Sequence, residues 1–109
     1  MRPDVVRGHL DGLILAVLER GRRHGFGIIT ELQLASGGRL DLPTGTVYPA
    51  LHRLERGGLI AGEWDASDAG RRRRTYRLTA AGHRDLTRVR AEWREFSTTV
   101  GALLGEAAT

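Results

Sequence analysis

Four consecutive arginines, Arg71, Arg72, Arg73 and Arg74, followed closely by Arg77, are the densest charge in this 109-residue chain. Like charges so close together repel unless an anion is at hand, so the run predicts phosphate contact; a solvated charged face is the plain alternative. A second group, Thr44, Gly45, Thr46, Tyr48 and Pro49 with His52 and Arg53 one turn on, joins small hydroxyls to a cation able to make paired hydrogen bonds. At the N-terminal end of a helix, that mixture suits the base edges and phosphates of duplex DNA. For Thr44 the structural alternative is helix capping, and for Tyr48 it is packing in the core.

Other chemistries lack their residues. The chain has no Cys, which excludes a thiolate nucleophile, a thiolate metal centre and a disulfide framework. His9, His24, His52 and His83 show no ligand spacing, and Gly25-Phe26-Gly27 lacks the rest of a nucleotide fingerprint. No Ser/His/Asp order or pair of catalytic acids can be assembled, so we expect a non-enzyme with no catalytic residue, metal or cofactor. Seventeen basic residues against thirteen acidic ones give a charge of +4, which favours a polyanionic partner. All seventeen are Arg, a choice that equally reflects a GC-rich genome. The start Met1-Arg2-Pro3-Asp4 and the absence of an apolar run near ~18 residues predict neither leader nor membrane anchor, hence a cytoplasmic protein.

The elements that must position these groups follow from hydrophobic spacing. Leu10, Leu13, Ile14, Val17 and Leu18 predict a first helix, with Leu15 and Ala16 adding a second apolar side, ended by the glycines at 21 and 25. A second helix is expected from Phe26 to Ala35, with Phe26, Ile29 and Leu32 on its inner face and Ser36-Gly37-Gly38 as its stop. In a third, Val47, Leu51 and Leu54 form the core stripe, Thr44 the cap, and Gly57-Gly58 the end; Pro49 lies near its start.

Leu59 to Trp64 and Thr75 to Leu78 read as strands of a hairpin, with Tyr76 and Leu78 facing inward, Thr75 and Arg77 outward, and Arg71 and Arg72 in the turn. Thr79 caps a last helix in which Leu86, Val89, Trp93, Phe96, Val100, Leu103 and Ala107 recur at steps of three and four. That stripe suits a seam against a second copy; packing on its own domain is the rival, and Gly101 and Gly105 predict fraying.

Three helices followed by a hairpin is the order of a winged helix-turn-helix. The expected class is mainly α (α+β), with a DNA-binding domain over residues 1–78 and a C-terminal dimerisation helix over 79–109. The expected seam consists of Leu86, Val89, Trp93, Phe96, Val100 and Leu103.

Several blocks also resemble the PadR family of regulators: Leu13-Ile14-Leu15-Ala16-Val17-Leu18, His24-Gly25-Phe26 where the family usually has Gly-Tyr, and Gly45-Thr46-Val47-Tyr48-Pro49-Ala50-Leu51-His52-Arg53-Leu54-Glu55. The likeness continues through Gly58-Leu59-Ile60, Trp64, Gly70-Arg71, Arg74-Thr75-Tyr76-Arg77-Leu78-Thr79 and Gly82, covering residues 10 to about 96. The single last helix is similar to the compact subgroup. The resemblance implies a homodimer built from the first and last helices, repression of neighbouring genes, and release of DNA when a small molecule binds. In some relatives tryptophans of the last helix stack planar ligands, which places Trp93, with Val89 and Phe96 beside it, as the expected site for a small aromatic effector. The rival function is a winged-helix adaptor that binds a protein and no DNA, with a small-molecule carrier as a third possibility.

Overall fold

The structure is a computed structural model that describes Val6, residues 8–65 and residues 73–105. Its elements run α1 (Leu10–Glu19), β1 (Arg23–His24), α2 (Gly25–Ala35), α3 (Thr44–Arg56), β2 (Ile60–Asp65), β3 (Arg73–Leu78) and α4 (Ala80–Leu104). The helices and the hairpin stand close to their expected bounds. The expectations for Met1 to Asp4, for the 66–70 turn with Arg71 and Arg72, and for Ala107 lie outside the described residues.

The core explains why α1 carries apolar residues on two sides. Ile14 and Leu15, adjacent in sequence and about 100° apart around the helix, are both fully buried, joined by Ile28, Val47, Leu51, Ile60 and Leu86 from every other helix and the hairpin. Leu13 and Ala16 pack partly against this cluster.

On α2 the expected face is corrected. Gly25, Ile28, Ile29 and Leu32 make the buried stripe at i, i+3, i+4 and i+7, whereas Phe26, one step off it, is 66% exposed. The helix stops at Ser36, where the Ser36 hydroxyl accepts the Leu40 N–H at 2.8 Å and Gly37 and Gly38 turn left-handed.

β1 was not anticipated. Its two residues carry no alternation a sequence could reveal, and they become a strand by lying beside β3, with Arg23 opposite Tyr76 and His24 opposite Thr75. The sheet order is β1-β3-β2, antiparallel throughout, with Ile60 opposite Leu78, Gly62 opposite Tyr76 and Trp64 opposite Arg74.

The passage from α3 through the hairpin into α4 is tied at one place. α3 ends with the Gly58 N–H on the Glu55 carbonyl (3.0 Å) and the Leu59 N–H on the Leu54 carbonyl (3.0 Å), a Schellman closure with Gly58 left-handed. Thr79 caps α4 as expected: its hydroxyl accepts the Gly82 N–H at 3.0 Å and donates to the Gly58 carbonyl at 2.7 Å. The hinge of the hairpin and the start of α4 are therefore one hydrogen-bonded unit.

α4 divides its apolar residues between two fates. Leu86 is 2% exposed within its own subunit's core, so its assignment to an intersubunit seam is corrected; an early position in α4 places it over α1. Farther along, the helix leaves the domain: Trp93, Phe96, Leu103 and Leu104 are exposed. At ~1.5 Å per residue, its 25 residues account for much of the 55 Å long axis. The helix continues through Gly101 and ends at Leu104, with the left-handed Gly105 as its C-cap.

α1 and α4 are also joined by Arg90, which grips both carboxylate oxygens of Glu19 at 2.7 and 2.9 Å. Hydrogen bonding from Arg90 holds the Glu19 carboxyl below its ordinary value of 4.5. A depressed folded-state value contributes stability above the unfolded value, which is lost as pH falls through the folded one. Glu19→Gln should therefore melt below the parent at neutral pH and together with it in acid below both values. Melting curves at the two pH values check this, and a gap that persists in acid would contradict it.

Candidate nucleic-acid interface

The buried stripe of α3, Val47, Ala50, Leu51 and Leu54, leaves Gly45, Tyr48, Pro49, His52 and Arg56 facing outward, with Thr44, Thr46 and Arg53 on the flanks, all exposed. The residues singled out on this helix are thus brought to one surface. The expected cap is corrected, however: the cap position is Pro43, whose carbonyl receives the Thr46 and Val47 N–H groups at 3.0 and 3.2 Å, and Thr44 is the first helical residue. Its hydroxyl is accordingly outside the helix's own bonding. Pro43 is extended, at φ −74° and ψ 158°, a conformation its ring favours ahead of a helix. Pro49 is the sixth residue of α3, and the helix passes through it.

Tyr48 packs as its structural alternative expected and still keeps an exposed side. Its ring lies directly on α2 at Gly25, where an added Cβ would approach Tyr48 Cε1 at 2.7 Å, yet the side chain is 42% exposed. Gly25 thus makes room for a tyrosine that is packed on one face and available on the other. Arg53 is exposed but not idle, since it reaches Asp11 of α1 at 2.9 Å.

The hairpin splits the arginine run. Alternation along β3 puts Arg74 on the same face as Tyr76 and Leu78 and turns Arg73, Thr75 and Arg77 to the other. Arg73 is exposed, and Arg77 lies 3.8 Å from Glu63. The guanidinium of Arg74, expected to contact phosphate, is engaged within the fold. It pairs with both oxygens of Glu55 on α3, one of them at 3.4 Å, and stacks 5.1 Å over the Trp64 ring. Its hydrogen bond to Glu55 raises Arg74 above the usual guanidinium range. Nearby, burial pushes the Tyr76 hydroxyl up, with the charge of Glu55 adding to the effect. Sequence reasoning missed Glu55 as a functional candidate, since only proximity to a residue nineteen positions away distinguishes it from any surface glutamate.

On the outer face of the sheet, the Thr75 hydroxyl donates to Asp65 at 2.5 Å and lies 3.1 Å from His24 Nδ1. Among the described residues, no group of three or more His, Asp or Glu side chains could hold a metal ion, and no helix is long and apolar enough to cross a membrane.

The expected effector residues sit between α1 and α4. Trp93 meets His9 edge-on at 5.5 Å and Phe96 at 6.1 Å, and forms a wall between two open grooves. One, of about 660 Å³, is lined by Leu13, Ala16, Leu40, Val89, Arg90 and Trp93 among others; the second, of about 480 Å³, includes Val89, Trp93 and Phe96. Val89 and Trp93 line both, and Phe96 joins them in the smaller groove, so the three expected residues border one common space there.

Residues 14–88 match the family described as "Transcriptional regulator PadR-like family". An uncharacterized protein of Lysinibacillus sphaericus is 33% identical over 96 residues, spanning 87% of each chain. Among solved structures, a PadR family transcriptional regulator from Eggerthella lenta superposes with a TM-score of 0.81 at 37% identity, covering 93% of this chain and 86% of that one. The fold is also shared with Bacillus subtilis PadR solved in complex with operator DNA, at a TM-score of 0.66 and 24% identity over 72% of this chain and 44% of that one.

Proposed function

Since the chain belongs to the PadR-like family of transcriptional regulators, we propose that it binds operator DNA as a homodimer, acts as a repressor, and is released by a small aromatic effector. The observation that carries this reading is the electrostatic character of α3. Its outward residues are uncharged or cationic, and its one acidic residue, Glu55, is neutralised by Arg74 of the hairpin. A duplex therefore meets no carboxylate on the helix that would enter its major groove. Dimerisation is supported by the large apolar side chains on the far half of α4, and an effector by the indole of Trp93 bordering two grooves. The operator complex of the B. subtilis relative supports DNA as the partner of this fold.

The test is fluorescence anisotropy with a duplex from the region upstream of the protein's own gene and a scrambled duplex of equal length. The upstream duplex should bind more tightly, with log affinity falling against log salt by roughly 0.9 for each phosphate contacted. His52→Ala should narrow the preference between the duplexes while leaving that slope in place. Binding that is absent at low salt would refute the reading and favour a protein partner for the same surface.

A further inference from the structure

The arginine run invites the view that all four side chains serve phosphate, but Arg74 is built into the protein. Four observations converge on it. The β3 alternation turns it toward α3 instead of outward. Glu55 offers two oxygens to its planar guanidinium, a paired geometry that fixes orientation as well as distance. Trp64, directly opposite it on β2, provides a flat surface beneath. Gly62 provides the space: a Cβ there would come 2.6 Å from Arg74 Nε. Both members of the ion pair are only about a quarter exposed. The site also lies one register step from Asp65 and Arg73, the last described pair of the hairpin, where a small change of angle is carried farthest.

We propose that Arg74 and Glu55, seated on Trp64 across Gly62, form a clamp that sets the angle between the hairpin and α3, so that both are positioning residues for DNA recognition and Arg74 is not a phosphate ligand. The proposal rests on the DNA-binding reading above. Duplex recognition by this fold needs the helix in one groove and the hairpin against the adjoining backbone at the same time, and a clamp between them holds that spacing before DNA arrives.

Charge makes the idea testable, because the clamp and simple electrostatics predict opposite signs. Glu55→Gln removes a negative charge from the DNA-facing helix and releases Arg74, which by electrostatics alone should tighten binding and steepen its salt dependence. The clamp requires the reverse: binding to the upstream duplex weaker by about tenfold, with the salt slope unchanged. Arg74→Gln should give a similar loss with the slope again unchanged, whereas loss of a phosphate contact would reduce it by about 0.9. The reciprocal double variant Glu55→Arg with Arg74→Glu restores the pair and should recover most of the affinity. Should Glu55→Gln fail to fold, Arg74→Lys keeps the charge but loses the paired geometry, and should weaken binding at constant slope.

A readout without DNA separates this proposal from the functional one. In a Trp93→Phe background, Trp64 emission in the free full-length protein should shift on Glu55→Gln or Arg74→Gln, and return in the reciprocal variant. Emission unchanged in all three overturns the clamp, as does tighter duplex binding by Glu55→Gln. A protein that binds no duplex but shows the emission shifts retains the clamp and refutes only its proposed use.

Discussion

Gly82→Ala should lower the thermal midpoint by roughly 15 °C, the largest stability effect expected of a single methyl group in this chain. The added Cβ would overlap the Leu59 carbonyl oxygen and stand 2.7 Å from Leu78 Cδ1. Neither neighbour can yield cheaply. Leu59 accepts the Thr79 N–H at 3.1 Å and donates its own N–H to Leu54, so moving it disturbs the α3 closure and the α4 cap together. Overpacking a site that cannot relax costs about 3 kcal/mol, and a domain of this size loses several degrees per kcal/mol. Gly45→Ala is the internal control: a Cβ there meets nothing within 4 Å, and α3 should gain slightly from the better helix former. Circular dichroism melts of the two variants at one protein concentration check the contrast. Equal midpoints would mean that the Leu59 backbone is free to move.

Leu103→Glu combined with Leu104→Glu should convert a dimer into single chains of 12.0 kDa and weaken operator binding by about 10²-fold or more, because the second half-site is no longer held at high effective concentration. Leu103 is 83% and Leu104 72% exposed, so their replacement removes no packing within the chain and should leave the melting profile of the isolated domain intact. The last contacts of the domain with α4 described above are those of Arg90 with Glu19 and Trp93 with His9, and a charged pair about two turns beyond Phe96 strikes what lies outside them. Light scattering gives the mass and anisotropy the affinity. A variant that still runs as a dimer would place the seam elsewhere, and one that loses mass but keeps full affinity would dissociate dimerisation from DNA recognition.

These expectations show how unevenly function was legible. The outward stripe of α3 could be read from Gly45-Thr46-Val47-Tyr48-Pro49 onward, because helical period alone separates Val47, Leu51 and Leu54 from Tyr48 and His52. Thr79 could be recognised as a cap because capping is a matter of three consecutive peptide groups. Phe26 could not be placed: a short helix offers two apolar stripes, and the start of α2 at Gly25 selects Ile28 over it. The heptad of α4 was visible, but its division at Val89 depends on how far α1 extends beneath the helix.

What the amino-acid order determined by itself was local and periodic: the helices, the two long strands, the turn after each helix and the cationic hairpin, all governed by interactions within a few residues. Only the tertiary structure decided which partner each exposed group would have. It made β1 a strand by giving it β3, gave Arg74 the partners Glu55 and Trp64, and kept Leu86 inside its own subunit. Alternation fixes the face a side chain takes, but the charge waiting on that face comes from a distant part of the chain, and no local pattern encodes it.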